Sequence, residues 1–173
     1  MVGRLHQINI GSGGVPKLPV DKVVVTQDRL VGDSWTWEGH GGPNQAVCLY
    51  SLECLAKLGQ QGFRVFPGAL GENFTTKGLD YPATRIGDVY RVGPEVEIQI
   101  TRPREPCGTI VRAYRPQSPE GNPISSAMWD DKTKQGDTSS PLWGMSGFYA
   151  RVIREGTVQA NDLIRLLERA QSK

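Results

Sequence analysis

Apolar and polar positions alternate along most of this chain, and that alternation predicts strands. Gly3 to Ile10 alternates, and Val20 to Thr26 carries the run Val23-Val24-Val25. Ala46 to Tyr50 is short and almost wholly apolar, as a buried strand should be. Ile86 to Gly93 and Val96 to Thr101 are two alternating runs close enough to form a hairpin, and Gly147 to Ile153 alternates again. One segment has helical spacing instead. Ser51 suits a helix N-cap, Glu53 lies in the first turn, and Leu52, Leu55, Ala56 and Leu58 would share one face before Gly59 and Gly62 end it. The tail from Asp162 to Glu168 fits either period. The pattern therefore predicts a mainly β fold with one or two short helices.

Composition narrows the class. A chain of 173 residues reads as a single domain, residues 1–173, with one core. The 21 glycines and 12 prolines supply the frequent turns that short strands need. A net charge of +2 demands neither nucleic acid nor membrane as partner, so any anion site must be local. Cys48, Cys54 and Cys107 are odd in number and lack C-x-x-C spacing, against both a disulfide framework and a zinc knuckle. With neither an apolar signal core nor a membrane-length run, the cytoplasm is the expected location. Residues 115–141 are polar and proline-rich, which predicts a mobile lid anchored by Trp129.

Candidate chemistry concentrates where an alternating strand runs into Arg102-Pro103-Arg104-Glu105-Pro106-Cys107-Gly108. The prolines stop the ladder and stiffen the loop. A guanidinium close to a thiol favours the thiolate, the form that attacks electrophiles and binds metals. A buried apolar cysteine is the alternative reading of Cys107. His40 lies in the turn-forming run His40-Gly41-Gly42-Pro43, either as a polar contact in a cleft or capping its own turn. Asn73 opens a strand after Gly71-Glu72 and is either a ligand contact with mixed polarity or a turn cap. Trp35 and Trp37 would face one side of an extended segment, covering a cofactor or closing the core. Gly11 to Lys17 is a glycine-rich loop without Walker spacing.

Taken in order, Gly32-Asp33, His40-Gly41-Gly42-Pro43, Gln45-Ala46-Val47, Pro67-Gly68-x-Leu70-Gly71-Glu72-Asn73, Gly87-Asp88, Arg102-Pro103-Arg104-x-Pro106-Cys107 and Gly147-x-Tyr149-Ala150-Arg151-Val152 resemble the MOSC domain family, the C-terminal domain of molybdenum cofactor sulfurases, in its short stand-alone form. The resemblance spans residues 3 to 168. It implies a β-barrel in which the tail is a final strand. It implies the molybdenum cofactor (molybdopterin), with Cys107 as metal ligand and catalytic residue beside His40. Lys17, Asn73, Arg102 and Arg104 fall where cofactor contacts are implied. One departure stands out: the family often has Gly-Asp-Arg, and here Ser34 follows Asp33, which passes any phosphate clamp to Arg29 or Arg104.

The resemblance implies an oxidoreductase that reduces N-hydroxylated small molecules. No cluster-type cysteine spacing or dinucleotide fingerprint is present, so electrons would come from a separate reductase. The alternative is a carrier of persulfide sulfur or of cofactor, without turnover of its own.

Overall fold

In the computed structural model, which describes residues 1–36, 40–114 and 122–171, ten strands and three α-helices follow one another along the chain. The strands are β1 (Val2–Ile10), β2 (Leu18–Val20), β3 (Lys22–Val25), β4 (Val47–Ser51), β5 (Phe74–Lys77), β6 (Val89–Val92), β7 (Val96–Pro103), β8 (Phe148–Arg154), β9 (Gly156–Gln159) and β10 (Leu163–Glu168). The helices are α1 (Leu52–Gln60), α2 (Gly108–Ala113) and α3 (Asp131–Lys134), one more than the one or two expected.

Seven of the strands close into a barrel. Pairing runs β10-β6-β7-β8-β4-β5-β1, and β1 returns to β10 through Val2↔Arg165 and Arg4↔Leu163, so the tail is a strand. Closure removes the free edges an open sheet would expose. The ladder is antiparallel except at β4–β5, the one parallel pair in the ring. Every residue of β4 is buried, as expected of a strand covered on both faces. Leu5, Ile8, Phe74, Ile98 and Phe148 fill the interior with no exposure at all.

Two strand expectations needed revision. The run from Val20 to Thr26 is split at Asp21: β2 pairs with β1, whereas β3 leaves the barrel to pair with β9. Strand β9 itself was not expected. β7 runs into Pro103, whose missing amide hydrogen ends the ladder one residue into the proline run.

Helix α1 is the longest, and Ser51 caps it by accepting from the amides of Glu53 and Cys54. Its buried face is Cys54, Leu55 and Leu58; Ala56 points outward. Residues 122–141, expected to be structureless, contain a 3-10 turn at Ile124–Ala127 and the helix α3, which Asp130 caps through the Thr133 amide at 2.7 Å. Ile124, Met128 and Thr133 are fully buried, and Trp129 only packs against that core, so the anchoring is shared. The rest of the expected lid, residues 115–121, lies outside the described residues, as does Trp37. Among the described residues no helix is long and apolar enough to cross a membrane.

Candidate functional site

A cleft of about 730 Å³, open to solvent, lies where the end of β1, the starts of β4 and β5 and the turn after β7 converge. Lys17, His40, Asn73, Arg104 and Cys107 all line it, together with Asp33, Trp35, Cys48 and Tyr149. Five of the six candidates are thus brought together from segments far apart in the chain. Arg102 is not brought into the lining. Its guanidinium donates to Gln45 Oε1 at 2.6 Å and stacks 4.9 Å from the Tyr149 ring, so it braces that wall from outside.

One side of the cleft is built around Asp33. Its carboxylate accepts from the Gly11 amide (2.9 Å), the Lys17 ammonium (2.5 Å) and Asn73 Nδ2 (2.8 Å). Asn73 is committed as well: Nδ2 also donates to the Asn9 carbonyl at 3.3 Å, and Oδ1 accepts from the Cys48 amide at 3.1 Å. The side chain that could have met a ligand or capped a turn instead joins β1, β4 and the Asp33 turn. Buried polar groups need such partners, which explains why Asn73 can stand at only 4 % exposure. Gly68 makes this wall possible. It has φ +89°, and a Cβ there would collide with the Lys17 carbonyl.

The opposite wall carries Cys107 and Arg104. Cys107 is half-buried, immediately before α2, and its side chain makes no capping hydrogen bond. Arg104 is 6 % exposed and donates to the Leu70 carbonyl. Burial alone would depress its pKa, but the acidic groups of Cys48, Tyr149, Glu72 and Cys107 outweigh this and raise it, so Arg104 stays charged. Burial, with the charges of Arg104, Lys17 and Arg102, lowers the pKa of His40, which therefore stands neutral at pH 7. Burial raises the Cys48 thiol, with Arg104 opposing, and pushes Cys54 up to about 11. Both remain thiols at neutral pH. Arg29 is exposed and lies 4.7 Å over the Trp35 ring, so of the two substitutes for the missing arginine only Arg104 faces the cleft. Ser34 lines the cleft and donates to the Gly11 carbonyl at 3.2 Å.

His40, Cys48, Asn73, Arg104, Cys107 and Tyr149 fall inside a stretch that matches a known family. A family model described as MOSC domain matches residues 37–165. The chain belongs to the MOSC domain family. A Bacillus subtilis protein, YflK, is 29% identical over 161 residues, covering 91% of this chain and 65% of its own length. A Gibberella moniliformis protein named as a reductase is 27% identical over 148 residues, which is 83% of this chain but 23% of that protein. The chain thus spans under two thirds of the length of either relative. Among solved structures, YiiM from Geobacillus stearothermophilus superposes with a TM-score of 0.68 at 25% identity, covering 96% of this chain and 75% of that one. YiiM from Escherichia coli gives 0.69 at 24% identity, covering 98% and 72%, and shares the fold.

Sequence reasoning passed over three residues of this MOSC site. Cys48 reads as core because its neighbours in β4 are apolar, and it is both buried and part of the lining. Asp33 was visible in its motif without a role, because its partners are up to 40 residues away. Tyr149 carried the same ambiguity; its place at the start of β8, opposite Cys48, is what brings it in.

The donor set decides what the cleft could hold. Among the described residues no three His, Cys, Asp or Glu side chains gather to hold a bare metal ion. A single accessible thiol beside a charged guanidinium fits a metal that arrives with its own ligands and an anionic group. The Lys17 charge is largely cancelled by Asp33, which leaves Arg104 as the charged lining group for an anion. A molybdenum cofactor fits this set.

Proposed function

We propose that this MOSC protein is an oxidoreductase that binds the molybdenum cofactor through Cys107 and reduces N-hydroxylated small molecules. The observation that carries the reading is the half-buried Cys107 thiol on a cleft shared with charged Arg104. The reductase name of the fungal relative supports it. The bound cofactor would supply two-electron transfer. The overall change splits an N–O bond: two electrons and two protons convert R–NHOH to R–NH2 and water, with the electrons from a separate reductase.

The chain's own residues bind and orient. Cys107 would contribute the thiolate ligand, and Arg104 a fixed charge toward an anionic group of the cofactor. Asp33 and Asn73 hold the facing wall in place. Neutral His40 can hydrogen-bond a hydroxylated nitrogen without adding another positive charge to the site. The expected cytoplasmic location belongs to this proposal.

The test is metal analysis of protein from a cofactor-competent host and from one lacking the pathway, with an assay on an N-hydroxylated base and an artificial electron donor. Molybdenum should be present in wild-type protein from the competent host, and activity should be lost in Cys107→Ser and retained in Cys48→Ala. Equal rates for Cys107→Ser and wild type would overturn the assignment. Release of thiocyanate by cyanide from molybdenum-free protein would replace it with the sulfur-carrier reading.

A further inference from the structure

A second concavity, of about 940 Å³ and open to solvent, shares no lining residue with the Cys107 cleft. It lies between the turn preceding β6, the loop after α3 and the chain following β10. Two guanidinium groups reach it, and both are pre-oriented by one turn. Arg85 Nη1 donates to the carbonyls of Pro82 (2.8 Å) and Thr84 (2.9 Å). Arg169 Nη1 donates to the Ala83 carbonyl (2.6 Å) and to Asp88 (2.9 Å).

Asp88 is fully buried and clamps the two sides of the groove. Besides Arg169 it accepts from the amides of Arg85 (2.9 Å) and Ala170 (2.8 Å). Each arginine spends only Nη1 on the protein, so its remaining N–H donors are available to a ligand. The floor between them is apolar. Ile86 is 44% exposed there, and Trp143 lies behind it with its indole N–H satisfied by the Thr84 carbonyl at 2.8 Å. Gly136 keeps the space above Ile86 open: the nearest atom a Cβ would meet is Ile86 Cδ1 at 3.9 Å.

We propose that this groove binds a small monocarboxylate carried on an apolar stem. Charge selects the headgroup. Among the described residues, two lining arginines against Asp88 leave one net positive charge, which a carboxylate balances and a phosphate dianion would exceed. Planar guanidinium donors match carboxylate geometry, and exposed Ile86 offers apolar area only to a ligand with a hydrocarbon part. Asp137, between two lining residues, is not itself in the lining and accepts from the Ser139 amide at 2.8 Å.

Sodium octanoate is the probe, followed by proton–nitrogen NMR of the full chain. Saturable shifts are expected at the Arg85 and Arg169 side-chain N–H groups and at the Trp143 indole, with a Kd of about 1 mM for a ligand of this size. Acetate and inorganic phosphate should each bind at least about tenfold more weakly. Arg85→Gln and Ile86→Asp, the latter on an exposed side chain that leaves the fold intact, should each weaken octanoate about tenfold. No saturable shift up to about 20 mM would overturn the proposal. So would octanoate binding unchanged in both variants, or phosphate binding as tightly as octanoate.

Discussion

Cys48 and Cys107 line the same cleft, but they belong to walls built on opposite terms. Cys48 sits in β4, a strand buried along its whole length, with its amide held by Asn73 and its thiol kept protonated by burial. Cys107 sits at a break between strand and helix, half exposed, its side chain capping nothing. The same side chain is therefore buried on one wall and half exposed on the other. What separates them is how many neighbours already claim the polar atoms around each. The Asp33–Asn73 wall is tied together because its donors and acceptors satisfy one another, whereas the Cys107 side chain makes no capping hydrogen bond.

That contrast breaks most visibly at Asp33. Asp33→Ala removes an acceptor of three bonds and leaves a nearly buried ammonium behind, a loss of the kind that costs about 3–5 kcal/mol. Urea denaturation measures it, and a change below about 1 kcal/mol would mean that this wall is not held as described. Asn73→Leu keeps the branched shape but strands the Cys48 amide and removes one of the three donors to Asp33, for an expected loss of about 2 kcal/mol. Cys48→Ala should cost about 1 kcal/mol and Cys107→Ala less than about 0.5 kcal/mol, because the first is buried and the second only half-buried. Reversal of that order would remove the distinction between the walls.

The smallest effects are in pH dependence, and two groups act with opposite sign. Glu72 is fully buried, and burial raises its pKa against the hydrogen bonds from Gly68 and Thr75 and the charge of Arg104. Below its unfolded value near 4.5 its contribution is fully present, and it is lost as pH rises through the higher folded value. His40 is the converse. Its folded pKa lies below 6.5, so its contribution is present above 6.5 and lost as pH falls through the folded value. In stability–pH curves Glu72→Gln should flatten the decline on rising pH, and His40→Gln the decline on falling pH. A variant that leaves its slope unchanged would show that its group does not titrate between the folded and unfolded states.

Much of the barrel was legible because alternation reports burial directly. β1, β4, β6, β7 and β8 lie where the pattern put them, and Ser51 announced α1. The failures have physical causes. Val23-Val24-Val25 cannot tell a barrel strand from one that leaves the ring, since both bury alternate residues. Helix α2 follows two prolines that read as loop, and α3 is four residues long, with Asp130 as its only local signal. At the site, Cys107 and Arg104 were legible because unusual residues stand in a stiff loop. Asn73 lines the cleft, but its partners Asp33, Asn9 and Cys48 come from three other segments, and no local pattern reveals such bonds.

The central claim is that Cys107 ligates the molybdenum of the bound cofactor, and X-ray absorption at the molybdenum edge tests it most directly. Wild-type protein loaded with cofactor and the Cys107→Ser variant loaded in the same way are compared for the number of sulfur neighbours around the metal. The account predicts one sulfur fewer in Cys107→Ser and no change in Cys48→Ala. An identical sulfur count in wild type and Cys107→Ser would contradict it.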